Sequence, residues 1–224
     1  NCSDSVVEDR SLLVEMGVIP RTVKDVLESV MKYHNPMGTH QSRRMAWAEG
    51  LNVKTYPNVT KADVLFFVCC STAYDVRNRE IARTMATIFD RMGVDYATLG
   101  EEEWCCGDHI LRMGEKGLFE MLAEHNVAVF QKFNANRIVT VSPHCYNTFK
   151  NDKPYKDLAL NVQHYTQFLA EALENGKLKP TKSYNKLVAY HDPCFLGKRN
   201  QIYEEPRRIL QSINGLKLVE MKRT

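Results

Sequence analysis

Long apolar runs are missing from this sequence. The longest, such as VLFFV at 64–68, stop far short of the ~20 residues that a bilayer-spanning helix takes, so the chain itself is expected to hold no membrane span. No basic-then-apolar leader is legible in its first residues. Charge of one sign is missing too: 30 basic and 27 acidic side chains, interspersed, leave a net +3. That gives no broad electrostatic footprint for nucleic acid. With 44% hydrophobic and 25% charged residues over 224 positions, disordered and fibrous classes are excluded. What is left is a globular protein of one large or two small domains.

What is present in an unusual form is cysteine. Seven cysteines, an odd number that includes two adjacent pairs, make a poor disulfide framework. With no leader in view, the expectation is a reducing compartment and thiolates that bind metal or do chemistry.

The first 60 residues read as mostly helical. Positions 21–33 carry apolar Val23, Val26, Leu27 and Val30 at spacings of three and four, one helix face, with Pro20 at its start and the turn Asn35-Pro36-Met37-Gly38 at its end. The polar stretch up to Asn58 reads as a connector or arm rather than core. From Ala62 the pattern alternates. Strand-length apolar runs at 64–68, 94–99, 138–141, 160–162, 187–190 and 216–221 are separated by amphipathic stretches such as 79–92, 115–133 and 166–173. This predicts an α/β fold with a mainly parallel sheet, flanking helices and a helical N-terminal arm.

In such sheets ligands collect beyond the carboxyl ends of the strands. Cys69 and Cys70 follow the first run directly, Cys105 and Cys106 follow the second by a short loop, Cys145 follows the third, and Cys194 follows the run ending at Tyr190. All six are therefore expected on one sheet edge. The chain also echoes itself: VLFFVCC, a helix and Gly93-Val94 correspond to LVAYHDPC, a helix and Gly215-Leu216. Cys70 to Cys194 spans 124 positions and Gly93 to Gly215 spans 122, which predicts two tandem pseudo-repeats, the second incomplete.

Converging thiols can be buried packing, a thiol redox site, a zinc site or an iron–sulfur site. Zinc favours pairs with a spacer of two to four residues. The pair Cys105-Cys106 has none, and its neighbouring side chains are expected to point apart, so both chelating one small ion is awkward. A polynuclear cluster offers several irons, and Gly107 lets the backbone pass close to it.

The segments Phe67-Val68-Cys69-Cys70, Trp104-Cys105-Cys106-Gly107-Asp108, Ser142-Pro143-His144-Cys145 and His191-Asp192-Pro193-Cys194-Phe195-Leu196-Gly197 resemble the cysteine-rich CCG domain family of heterodisulfide reductase B and D subunits and related iron–sulfur oxidoreductases. The similarity covers about 62–224 with the motifs in order: 34 residues between Cys70 and Cys105, and 38 between Cys106 and Cys145. It implies an iron–sulfur domain at 61–185, the start of a second, truncated one at 186–224, and a segment 1–60 forming the tail of a ferredoxin-like domain. Where the family usually carries C-P-H-C, this chain has Ser142, so one of five cysteines that hold an unusual non-cubane cluster is lost. Four thiolates, Cys70, Cys105, Cys106 and Cys145, suit a [4Fe–4S] cluster.

Cys194 is then the ligand present of an incomplete second site, its continuation expected a few residues past Thr224. Cys2 has no neighbouring cysteine and cannot hold a cluster alone. Cys69 stands where the family usually has glycine and reads as a small packed thiol. His109, His144 and His191 read as hydrogen-bonded structural residues, Glu101–Glu103 as a solvated turn, and Lys198, Arg199, Arg207 and Arg208 as solvent-facing charges able to dock an acidic carrier.

The resemblance implies an electron-transfer subunit of an oxidoreductase complex of anaerobic metabolism. Its partners would be a flavoprotein, a ferredoxin-like or a membrane quinone-reactive subunit, and its place the cytoplasm or the cytoplasmic face of the membrane. A catalytic thiol–disulfide reductase and a docking module with a structural or lost metal are the competing expectations.

Overall fold

A computed structural model describes residues 2–221, with side chains from residue 5 onward. Two helices open the chain, α1 (Cys2–Glu15) and α2 (Arg21–Tyr33), so α2 occupies the stretch its apolar spacing predicts. A 3₁₀ turn (Gln41–Ala48) and strand β1 (Lys54–Thr55) lead to β2 (Lys61–Phe67), α3 (Cys70–Tyr74), α4 (Arg79–Met92) and β3 (Tyr96–Thr98). There follow α5 (Asp108–Met113), α6 (Lys116–Lys132), β4 (Asn134–Thr140), α7 (Pro143–Asn151), β5 (Val162–His164) and α8 (Tyr165–Glu174). The chain continues through β6 (Leu187–Ala189), α9 (Gly197–Asn200), α10 (Glu204–Gln211) and β7 (Lys217–Val219). All six apolar runs overlap a strand, the run 160–162 only at Val162 because β5 lies two residues further on, and two-residue β1 is too short for the pattern to show. No helix among the described residues is long and apolar enough to cross a membrane.

The main sheet is parallel throughout, in the order β1-β3-β2-β4-β5. β2 is central, so it is covered on both faces, and its last four residues Val64, Leu65, Phe66 and Phe67 are all buried. Phe66 meets Phe89 of α4 on one side at 5.3 Å, and Phe67 meets Phe149 of α7 at 4.8 Å on the other, both edge to face. From β2 the chain moves one way to β3, and from β4 it moves the other way to β5. The crevice between the carboxyl ends of β2 and β4 is therefore the topological switch point, where such sheets bind ligands.

β6 and β7 form a separate parallel pair, Leu187 opposite Lys217 and Ala189 opposite Val219. Their order of strand, short helix, longer helix, strand repeats that of β2, α3, α4 and β3. Both longer helices are followed by a glycine in the left-handed region, Gly93 at φ 65° and Gly215 at φ 80°. Cys194 thus follows a strand of this second pair, not of the main sheet, which corrects the expectation of a single edge for all six cysteines.

Residues 36–58 are not a connector. Trp47 and Arg44 are 1% exposed, and Trp47 meets Phe66 of the central strand at 6.0 Å. Periodicity misses this segment because its 3₁₀ turn buries only Arg44, Trp47 and Ala48, and one of those is a charge. The turn before it is tied by the wholly buried Asn35, whose Nδ2 donates to Tyr33 O and Thr39 O, both at 2.8 Å, while its Oδ1 accepts the Met37 amide at 3.0 Å.

Candidate metal centre

Three loops bring sulfur to the switch point. Cys70 is the first residue of α3, Cys105 and Cys106 run through Gly107 into α5, and Cys145 lies in the first turn of α7. The local sequence explains each entry. Ser142 caps α7, its Oγ accepting the His144 amide at 3.2 Å, and Pro143 follows at a position whose missing N–H is not needed. Gly107 has φ 85°, and a Cβ there would lie 2.5 Å from Phe119 Cδ2, so the chain turns from the cysteine pair into α5 only with glycine. The first turns of α3, α5 and α7 meet at the sulfurs, the helix end that favours negative charge.

Exposure is 6% at Cys70, 4% at Cys105, 5% at Cys106 and 2% at Cys145. Side-chain contact runs from Cys70 to Cys105, to Cys106, to Cys145. Cys69 is buried, as its reading as a packed thiol requires, and its sulfur also contacts Cys145. All five are free thiols. The sulfurs of Cys105 and Cys106 meet instead of pointing apart, which corrects that expectation. It is the number of thiols, not their divergence, that favours a polynuclear group over one ion.

Shared protons split the thiols. Contact with Cys105 raises Cys70 well above the ordinary range, and contact with Cys106 does the same to Cys105 and Cys145, in each case with burial adding to it. Hydrogen bonding from Cys105 lowers Cys106 to about 7, and from Cys145 lowers Cys69 to about 6.

One buried ion pair supports this nest. Burial opposes the charge on Arg44, but the Glu103 carboxylate and then Cys70 outweigh it and hold the guanidinium charged. Arg44 Nη2 donates to Glu103, and Nη1 lies 3.6 Å from Cys70 Sγ. Glu103 also accepts the amides of Val68 at 3.0 Å and Cys69 at 2.8 Å. Glu103 is wholly buried, so the reading of Glu101–Glu103 as a solvated turn fails at its third residue; Glu101 is exposed. Composition gives no sign of either partner, since a buried Arg and Glu look like surface charges until the fold pairs them.

The pair's backbone is clamped by polar groups. Cys105 N donates to His34 O at 2.9 Å, Asn126 Nδ2 donates to Cys105 O at 3.0 Å, and Tyr155 Oη donates to Cys106 O at 3.3 Å. Trp104 lies between the rings of His34 and His125, 3.5 and 3.6 Å away and both within 9° of parallel.

On the far side His144 Nδ1 meets Asp108 Oδ2 at 2.7 Å, and Thr148 Oγ1 donates to Asp108 Oδ1 at 3.2 Å. Burial raises the Asp108 carboxyl, but the His144 hydrogen bond and the charges of His144, Arg112 and His109 together outweigh it and leave Asp108 below its usual range. His109, exposed, stands 4.7 Å from the His144 ring, and burial of its inner side lowers it. These three residues offer ligand atoms within 4.8 Å of one another.

Cys194 is exposed and outside the chain of thiol contacts, although its neighbour Phe195 stacks 4.0 Å from His144. His191, Lys198 and Arg199 are exposed. Arg207 is not a free surface charge: it forks to Asp192 at 2.7 and 2.8 Å and to Glu220, while Arg208 pairs with Glu174. The Cys2 side chain and residues 222–224, the expected approach to a second cysteine pair, lie outside the described residues. A surface cleft of about 340 Å³ lies at the opposite, amino ends of the strands, lined by Asp63, Gly93 and Arg137 among others, with no cysteine.

The chain matches the family described as cysteine-rich domain, CCG, over residues 64–150 and 188–224. It is 35% identical over 229 residues to the probable iron-sulfur-binding oxidoreductase FadF of Bacillus subtilis, covering 99% of this chain and 32% of that protein. Identity to the EtfAB:quinone oxidoreductase of Syntrophomonas wolfei is 31%, over 92% of this chain and 30% of the relative. Identity to the D subunit of the dihydromethanophenazine:CoB–CoM heterodisulfide reductase of Methanosarcina barkeri is 35%, over 96% of this chain and 53% of the relative. The chain thus spans about a third to about half the length of these relatives. No solved structure matches it.

Proposed function

The chain belongs to the cysteine-rich domain (CCG) family, and on that premise we propose that it is the iron–sulfur electron-transfer part of an oxidoreductase. The reading is carried by the convergence of four buried, unbridged sulfurs at the switch point of a parallel sheet. An iron–sulfur cluster fits this donor set, since it is held by several thiolates, and when bound it supplies one-electron transfer. The ligands are Cys70, Cys105, Cys106 and Cys145, and the composition is [4Fe–4S].

Each neighbouring group has a part. The first turns of α3, α5 and α7 offset the negative charge of the thiolates. Arg44 adds a buried cation against Cys70 and is itself held by Glu103. Gly107 and Phe119 fix the bend that aims both sulfurs of the pair inward.

Burial of all four sulfurs supports relay over thiol–disulfide reduction, because none of them is exposed to attack a disulfide substrate. Residues 61–185, with β1, Arg44 and Trp47 packed onto them, form the cluster-bearing unit, 186–224 begin a second one with Cys194 as its first ligand, and the opening helices lead in from a ferredoxin-like domain. The electron partners are a flavoprotein or ferredoxin-like donor and a quinone, disulfide or further cluster as acceptor, at the cytoplasmic side. The similarity to a quinone oxidoreductase and to a heterodisulfide reductase subunit supports this choice.

Anaerobically purified chain should be brown. Dithionite should bleach its visible absorption, and a mild oxidant should restore it with no loss of iron. A colourless chain, or one that carries only zinc, would replace the relay by a docking module.

A further inference from the structure

We propose that Cys69 supplies a fifth thiolate to the metal centre; the inference rests on the reading of that centre as an iron–sulfur site. The starting observation is the backbone. Cys69 has φ 75° and ψ 152°, a conformation essentially reserved to glycine, and a residue with a Cβ persists there only where its surroundings over-determine it. Those surroundings are present: the buried Glu103 carboxylate accepts the Cys69 amide at 2.8 Å and the Val68 amide at 3.0 Å. Glycine would make the same two hydrogen bonds without strain, since on the side of residues 68 and 69 both use only backbone amides. What the strained residue adds over glycine is the thiol.

That thiol is inside the nest. Cys69 is 7% exposed, its sulfur lies 3.4 Å from Ser71 Oγ, and it contacts the thiol of Cys145. Ser142 is placed otherwise. Its hydroxyl is occupied as the cap of α7, accepting the His144 amide at 3.2 Å. Four irons with one thiolate each are satisfied by Cys70, Cys105, Cys106 and Cys145. A fifth thiolate from Cys69 would lower the symmetry of the donor set around the centre and add one negative charge to it. Both changes are visible in an electron paramagnetic resonance spectrum.

The test compares the full chain, purified anaerobically, as wild type, Cys69→Gly, Cys69→Ala and Ser142→Ala, by paramagnetic resonance in oxidised and reduced states and by iron content. Cys69→Gly relieves the backbone and should melt no lower than the wild type, so its spectrum reports the thiol and not the fold. The expected result is loss of the wild-type signal in both Cys69 variants, with a different signal or less iron in its place, and retention in Ser142→Ala. Wild-type signal and iron in both Cys69 variants would overturn the inference while leaving the iron–sulfur reading intact. A wild-type chain with no iron–sulfur signal would overturn that reading, and the inference with it.

Discussion

Separating Arg44 from Glu103 should be far worse than replacing both. The two side chains are each 1% exposed, so neither charge has water to fall back on. Arg44→Met leaves the carboxylate buried with only the Val68 and Cys69 amides as donors. Glu103→Gln leaves the guanidinium buried with no counter-charge but Cys70. Breaking a buried pair from one side costs about 3–5 kcal/mol, a large part of the ~5–15 kcal/mol that holds a domain folded. In the double variant the carbonyl oxygen of the new glutamine still accepts one of the two backbone amides, its NH2 taking the place of the other carboxylate oxygen, and methionine fills the space of the arginine stem. Arg44 Nε has no partner in the native protein, so methionine forfeits nothing there. We expect the double variant to lose about 1–2 kcal/mol, giving a coupling of several kcal/mol. Urea unfolding under anaerobic conditions, at matched iron content and followed by tryptophan fluorescence, measures all four corners of the cycle. Losses that add to within about 0.5 kcal/mol would refute the reasoning, because that is how independent sites behave.

Three further outcomes follow from single residues. Burial pushes His164 down to about 4 from 6.5, so the unfolded chain binds the extra proton between those values; stability is full above pH 6.5 and falls towards pH 4 by about 3 kcal/mol in all. In His164→Gln that acid slope should flatten, and an unchanged slope from pH-dependent unfolding would assign it elsewhere. Ser142→Ala removes only the cap on the His144 amide and should cost about 1 kcal/mol in thermal unfolding with iron content unchanged. Gly107→Ala meets both a left-handed backbone and the Phe119 ring, and should cost about 2–3 kcal/mol together with most of the bound iron, measured by melting and metal analysis.

Strands β2 to β7 and helices α2, α4, α6 and α8 were legible because each carries a repeated signal. Val23, Val26, Leu27 and Val30 mark α2, and the unbroken run 64–68 marks a strand buried on both faces. The four clustered cysteines were legible for a different reason: in a parallel sheet, a residue just past a strand is at the binding edge whatever the loop conformation. Arg44, Glu103 and Trp47 were not, because a single buried contact in a short irregular turn leaves no period to detect. Glu103 also sits at the end of an acidic run, and only the approach of Arg44 from 59 positions away distinguishes it. The strain at Cys69 shows in the sequence only through the resemblance, since a left-handed turn is announced by glycine and the family usually has glycine where this chain has Cys69.

The central claim is that Cys70, Cys105, Cys106 and Cys145 together hold one iron–sulfur centre, and iron and acid-labile sulfide per chain test it most directly. The wild-type chain, purified anaerobically, is predicted to carry about four of each at this centre, and Cys106→Ala close to none, with a fold loosened around the lost metal. Equal iron and sulfide in the wild type and in Cys106→Ala, or a wild-type chain with neither, would contradict the account.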